Sequence, residues 1–405
     1  MKNFITPFKN IAILSSGEVI SRGINFLSFA YLARVISISD FGAIGFGTAL
    51  INFLLNLVNF GLDRISLKEV SQNSQSASNY LINIGIIRFF LSLISFLLYL
   101  LILFFNSNFN LPLVLLGLTI FSTGLSLNYF AKAIERFNII TINQVLISLL
   151  TIALYFTFVK NKTDFNFAVI IMVLTSFFSN FLFLFKLKNY LKNFKNQFSF
   201  VLIKNLILSS FPLFISSIMI AIYYFADTIM LGILKNEHDV GIYSAANKIF
   251  LLLVVPFSIV VNVFLPSIAK SYRKIKGNLL IYYFCMVTIG LLLGFTTYFY
   301  AKEIIFLVFG GNFISSIFPL KILALNVILV GVNMSFGEPI TVWGKQKQYL
   351  IAVSIGAVIN IILNFIFIPK YSYYGAAFTT LLSELSVFII LSYIFFNTRE
   401  NNEHK

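Results

Sequence analysis

The sequence predicts an all-α polytopic membrane protein, with about twelve transmembrane helices in two six-helix bundles around a central cavity. Three observations predict this class. Of 405 residues, 59% are hydrophobic and only 11% are charged, whereas a soluble domain carries about 25% charged residues. Apolar runs long enough to cross a hydrocarbon core about 30 Å thick recur from end to end. The pattern of those runs also repeats once within the chain.

The first six spans are expected at Ile11–Ala33, Phe41–Leu62, Tyr80–Phe105, Leu111–Ala131, Ile139–Val159 and Phe165–Phe185. The second six are expected at Leu206–Leu234, Gly241–Ile268, Leu279–Tyr300, Ser315–Val342, Tyr349–Ile368 and Tyr373–Phe396. Between them, Ala301–Phe313 is a short apolar run that ends near Gly310-Gly311 and reads as neither span nor plain loop. The first apolar run is long and lacks a small-residue cleavage site, so it reads as a retained span and not as a signal peptide.

Asp40-Phe41-Gly42 closes the first loop of the first half, and Asp239-Val240-Gly241 closes the first loop of the second, 199 positions on. The same offset carries the first span onto the seventh and the third onto the ninth. Each half holds an even number of helices, so both begin on the same side. They then form parallel repeats about an axis along the membrane normal. The expected division is residues 1–195 and 196–405. Paired bundles of this kind suit a transporter.

The net charge of +15 is distributed as a membrane protein distributes it. With both termini cytoplasmic, 19 of the 29 basic residues fall in inner segments and 6 in outer ones, as the positive-inside rule requires. The inner segments include Lys270–Lys276 and the longest polar linker, Lys186–Asn205, which would attract anionic phospholipid headgroups. A nucleic-acid groove would mix basic and aromatic residues on one solvated face. These short loop clusters do not, so no nucleic-acid partner is expected.

Eight ionisable residues fall inside spans: Glu18, Arg22, Arg88, Asp227, Lys248, Lys321, Glu338 and Glu384. Each would cost about 2.5–3.5 kcal/mol at the centre of a lipid-facing helix, so they should face protein or a watery cavity. Glu18 and Arg22 share a helical face and either neutralise each other or leave Arg22 to bind an anion. Arg88 has no acid in its own span and either lines a transport pathway or snorkels to the interface. Lys248 either pairs with Asp227 or binds a substrate anion. Lys321, near a span end, suits snorkelling. Glu338 precedes Pro339, where a kink is expected. Asp227, Glu338, Glu384 and Glu18 are candidate coupling groups or counter-ions. Prolines at 212, 256, 266 and 319 are expected to interrupt their spans.

Several chemistries are excluded by what the sequence lacks. No Gly-Lys-Ser or Gly-Lys-Thr phosphate loop is present. The two histidines, His238 and His404, have no partners at metal-ligand spacing. Cys285 is single, so no internal disulfide forms, and it reads as a small apolar filler. No cofactor, metal or catalytic residue is expected. No loop is large enough for a soluble catalytic domain, so an enzyme is the weaker class.

Four ordered stretches carry a family resemblance. The first is Tyr31-Leu32-Ala33-Arg34 with Asp40-Phe41-Gly42, after Ser21-Arg22. The second is Asp227-Thr228-Ile229-Met230-Leu231-Gly232 with Val240-Gly241-Ile242-Tyr243-Ser244-Ala245-Ala246. The third is Phe309-Gly310-Gly311 with Lys321-Ile322-Leu323. The fourth is Asn360, Leu363-Asn364, Pro369, Gly375-Ala376-Ala377 and Ser383-Glu384. Together they resemble the Wzx-type polysaccharide flippases of the multidrug/oligosaccharidyl-lipid/polysaccharide exporter superfamily.

The resemblance implies two six-helix bundles forming a V-shaped cavity. It also implies translocation of a polyprenyl-pyrophosphate-linked oligosaccharide from the cytoplasmic to the outer leaflet of a bacterial or archaeal plasma membrane. Arg22 matches the first-helix arginine that the superfamily's lipid II flippases place in their cavity, and Lys248 is a looser match. Arg22, Arg88 and Lys248 are therefore the expected pyrophosphate-binding residues. The alternatives are a cation-coupled drug or metabolite antiporter of the same superfamily, and a membrane glycan polymerase or ligase.

Overall fold

The structure is a computed structural model. It describes residues 2–72, 77–106, 110–188, 198–270 and 277–403, with side chains at 16–70, 79–106, 110–188, 198–269 and 279–397. Among the basic residues expected on the inner side, Lys2, Lys9, Lys192, Lys195, Lys270, Arg273, Lys274, Lys276, Arg399 and Lys405 have side chains outside that set, as does His404.

Among the described residues the regular structure is all helical. In hydrocarbon a helix satisfies its backbone groups internally, which is why long apolar runs adopt it. The elements are α1 (Lys2–Val35), α2 (Ile38–Asn59), α3 (Leu62–Gln72), α4 (Ala77–Phe105), α5 (Leu111–Gly117), α6 (Thr119–Gly124) and α7 (Asn128–Ala133). They continue with α8 (Phe137–Phe158), α9 (Phe165–Leu187), α10 (Phe200–Leu234), α11 (Glu237–Lys270) and α12 (Gly277–Phe299). The last are α13 (Ala301–Phe309), α14 (Ile317–Val342) and α15 (Gln346–Glu403).

Ten helical stretches among the described residues are long and apolar enough to cross a membrane. One of them, Gln346–Asn397, bends at Ser372, where φ is +50 and ψ is −130, so it supplies two crossings. With α1, which is 34 residues long but carries Glu18 and Arg22, the expected twelve helices are accounted for. Large apolar side chains such as Phe104, Val263 and Phe284 stand on the outside, as lipid contact requires. The protein is a multi-pass membrane protein.

Of the prolines inside helices, only Pro369 lies beside a break, three residues before the bend at Ser372. α10 continues through Pro212 and α11 through Pro256 and Pro266. Pro319 lies in the first turn of α14, where its missing N–H costs nothing. The fourth span is the one that fragments, into α5, α6 and α7. Side chains of neighbouring helices bond to its carbonyls. Tyr99 donates to the Leu113 carbonyl at 2.8 Å, and Asn180 donates to that of Ser122. The polar linker also ends earlier than expected, since Lys204 and Asn205 already belong to α10.

Two further short elements flank the spans. α3 is an amphipathic helix that buries Leu62, Ser66 and Val70 on one stripe and exposes Lys68. The Ala301–Phe313 run becomes α13, closed by Gly310 at φ +84, followed by a short 3-10 segment.

The chain packs as two compact units, Met1–Ser37 with Gly47–Ala221, and Ile38–Phe46 with Ile222–Lys405. In the first, α1 packs along α8, and α8 along α9. In the second, α14 packs between α12 and α15. The two repeated Asp-x-Gly motifs meet in the second unit. A Cβ on Gly42 would lie 1.7 Å from the Glu237 carbonyl oxygen, and one on Gly241 would lie 2.3 Å from that of Ile38. Backbone meets backbone at both places, so only glycine fits.

Candidate functional site

Three polar sites interrupt the apolar packing, and each contains ionisable residues singled out by sequence. The first is a cleft in the first unit, formed by α1, α8 and α9, with a volume of about 320 Å³. Glu18 and Arg22 lie one helical turn apart on α1, and Arg22 Nη2 donates to Glu18 Oε1 at 2.6 Å. Both side chains are about half exposed, at 54% and 55%. The two charges neutralise each other here. Asn25, Gln144, Ser148 and Ser179 complete the polar lining.

The second site surrounds Arg88 on α4. Its side chain is 6% exposed and pairs with Asp63 at the start of α3, which is 47% exposed. Arg88 also donates to Asn59 Oδ1 at 3.0 Å and stacks its guanidinium 4.1 Å from the Tyr129 ring centroid. It reaches the Gly124 carbonyl, released by the break after α6, at 3.5 Å. Its Nε has no partner. A cavity of about 220 Å³ opens beside it. No acid within α4 could have revealed this pairing. Asp63 comes from the short helix that hydropathy alone reads as loop.

The third site is the buried network of Asp227 on α10, in the second unit. Tyr243 of α11 donates to Oδ2 at 2.9 Å. Asn360 and Asn364, from the first half of α15, donate to Oδ1 at 2.9 and 2.6 Å. Thr380, from the second half, donates to Oδ2. Asn364 also donates to Asn360 Oδ1 at 3.0 Å and accepts from Thr379. Four helical segments are thus tied to one carboxylate, and Asp227 is only 6% exposed. Four hydrogen bonds compensate the burial of a charge in a way that one or two could not.

The other expected residues are more dispersed. Lys248 is half-buried on α11, five residues beyond Tyr243. Glu384 is buried and accepts from Asn333 of α14. Glu338 is half-buried, and its carbonyl accepts from Thr341 at 2.8 Å. Lys321 lies 5.4 Å from the Tyr298 ring centroid. Among the described residues no group of three His, Cys, Asp or Glu side chains could hold a metal ion. The Asp227 network is rich in oxygen. A hard cation would fit it only if the Asn360 and Asn364 amides turned to present oxygen in place of N–H.

Fold and sites together define a multi-pass membrane protein with closed polar networks and open polar clefts among its apolar helices. Residues 8–272 match the model of the polysaccharide biosynthesis protein family, and the chain belongs to that family. It is 24% identical over 277 residues to the capsular polysaccharide biosynthesis protein CapF of Staphylococcus aureus, covering 65% of this chain and 68% of the relative. The fold is shared with the lipid II flippase MurJ in an inward closed conformation, with a TM-score of 0.74 and 16% identity over 96% of this chain and 90% of that one. It is also shared with an inward-facing multidrug resistance MATE family transporter of the MOP superfamily. There the TM-score is 0.71 and the identity 16%, over 93% and 95% of the two chains.

Proposed function

We propose that this protein is a flippase, which moves a polyprenyl-pyrophosphate-linked oligosaccharide from the cytoplasmic to the outer leaflet for surface polysaccharide synthesis. It acts without catalytic residues, in a bacterial or archaeal plasma membrane, with both termini cytoplasmic and its inner loops against anionic phospholipid. The observation that supports this reading is the set of cations within the long apolar helices of a charge-poor chain of the polysaccharide biosynthesis family: Arg22, Arg88 and Lys248.

A pyrophosphate crossing a low-dielectric region needs charge-assisted donors. Arg22 and Arg88 already hold acids, Glu18 and Asp63, and both acids are about half exposed. An arriving pyrophosphate exchanges with the acid, which turns to water. That keeps each arginine compensated in the empty and the loaded state.

Deleting the gene tests the function: complete lipid-linked repeat units then accumulate on the cytoplasmic leaflet. Full export on deletion, with no such accumulation, overturns it. The residue assignment fails separately if Arg22→Ala, Arg88→Ala and Lys248→Ala all export at wild-type rates.

A cation-coupled antiporter is the second reading, favoured by the buried Asp227 carboxylate. It predicts that transport of a small cationic solute is lost in Asp227→Asn while lipid-linked glycans stay at wild-type levels.

A further inference from the structure

The cleft beside Glu18 and Arg22 contains more hydrogen-bonding capacity than the ion pair uses. We propose that it is the glycan subsite, where the sugar attached to the pyrophosphate is recognised through its hydroxyl groups. The proposal rests on the flippase reading and assigns residues that the cation set does not include.

Covalent adjacency is the first argument. The first sugar is bonded directly to the pyrophosphate. If Arg22 receives that pyrophosphate, the sugar must lie within a few ångströms of it. The space available there is the cleft of about 320 Å³, within the range of small-molecule sites, about 300–1,000 Å³.

The chemistry of the lining is the second. Sugar hydroxyls both donate and accept, so a complementary site must present both. Ser148 donates its own proton to the Gln144 carbonyl at 2.9 Å, which leaves its oxygen as an acceptor. Ser179 is oriented the other way. Its hydroxyl accepts from Asn143 at 2.8 Å, which leaves its proton to give. The Asn25 and Gln144 amides carry both functions on a planar fork that spans neighbouring hydroxyls. Glu18, once released by Arg22, adds a carboxylate acceptor.

Unused capacity is the third. Ser21 is 7% exposed, and its hydroxyl has no hydrogen-bond partner. Buried polar groups are normally paired, and this one sits just behind the cleft surface, where a small side-chain rotation would present it to a ligand hydroxyl. Among the described residues the lining is polar side chains and Ile147, which meet a sugar at its hydroxyl edges.

The test uses the full-length protein in proteoliposomes and two probes: a polyprenyl pyrophosphate bearing the host's oligosaccharide, and the same lipid pyrophosphate without sugar. The readout is the ratio of their transport rates. Wild type is expected to favour the glycosylated probe. The double variant Asn25→Ala/Gln144→Ala is expected to lower that ratio at least ten-fold, and Gln144→Asn to restore part of it. The single variant Asn25→Ala, at an exposed position, tests the same ratio if the double variant does not fold.

An unchanged ratio, or equal slowing of both probes, overturns the glycan subsite and leaves the flippase reading intact. A wild type that moves both probes without preference does the same. A wild type that moves neither overturns both.

Discussion

The Asp227 network and the Glu18–Arg22 cleft both put polar groups among apolar helices, but they are built in opposite ways. At Asp227 nearly every donor closes on an acceptor, across α10, α11 and both halves of α15. At the α1 cleft the ion pair is local, four residues apart and half exposed, and hydroxyls and amides around it are left open. A closed network fixes helices relative to one another. An open one keeps capacity for a visitor. Arg88 stands between them, buried like Asp227 but with one unpartnered nitrogen and a half-exposed acid.

If that contrast is right, stability and transport should respond in opposite orders. The largest loss of stability is expected from Asp227→Ala. It strands the Asn360, Asn364, Tyr243 and Thr380 donors, at about 1–3 kcal/mol for each group left unpaired. Thermal unfolding in detergent should show it, and Asp227→Asn, which keeps the shape and one acceptor, should lose less. A wild-type melting temperature in Asp227→Ala would remove the distinction between closed and open sites.

Arg88→Ala should come second, at about 2–4 kcal/mol. A buried pair broken on one side costs more than a surface pair, but exposure of Asp63 moderates the loss. Arg88→Lys should not restore it, because a point charge cannot span Asn59 and stack on Tyr129 as a guanidinium does. Full rescue by lysine in the same unfolding assay would mean that charge alone matters there.

Arg22→Ala should change stability by about 1 kcal/mol or less, as exposed pairs do, yet slow lipid-linked glycan transport at least ten-fold. Measuring both in one preparation separates a site built for ligand from one built for packing. The smallest effect is expected from Gly23→Ala. An added Cβ there meets nothing within 4 Å, so helix propensity should raise stability by up to about 1 kcal/mol. A fall in melting temperature would show that the α1 face is more crowded than the cleft geometry implies.

The membrane class was legible because it rests on local quantities. A run of apolar residues is visible without knowing its neighbours, and Glu18 with Arg22 was visible because helix geometry alone puts them together. The repeat was legible as an offset, though not its purpose. Gly42 and Gly241 are equivalent by sequence, and the structure makes them reciprocal, each close against the backbone that leads into the other's helix. The four prolines expected to interrupt their spans, Pro212, Pro256, Pro266 and Pro319, do not break them, whereas α15 bends three residues after Pro369. A long helix in hydrocarbon can carry proline, as α10 and α11 do. The fourth span breaks after α6, where Arg88 and Asn180 take up the Gly124 and Ser122 carbonyls.

By itself the sequence determined that this chain is a bundle of membrane helices with a few costly charges among them. Hydropathy and helical period are properties of neighbouring residues, and they sufficed for that. Only the tertiary structure decided which charges are closed and which are open. Asp227 meets Asn360, Asn364 and Thr380 across separations of 133 to 153 residues, and Arg88 meets Asp63 across 25. No local pattern encodes such meetings. They depend on which helix faces pack together, and that packing separates a closed carboxylate network from an open polar cleft.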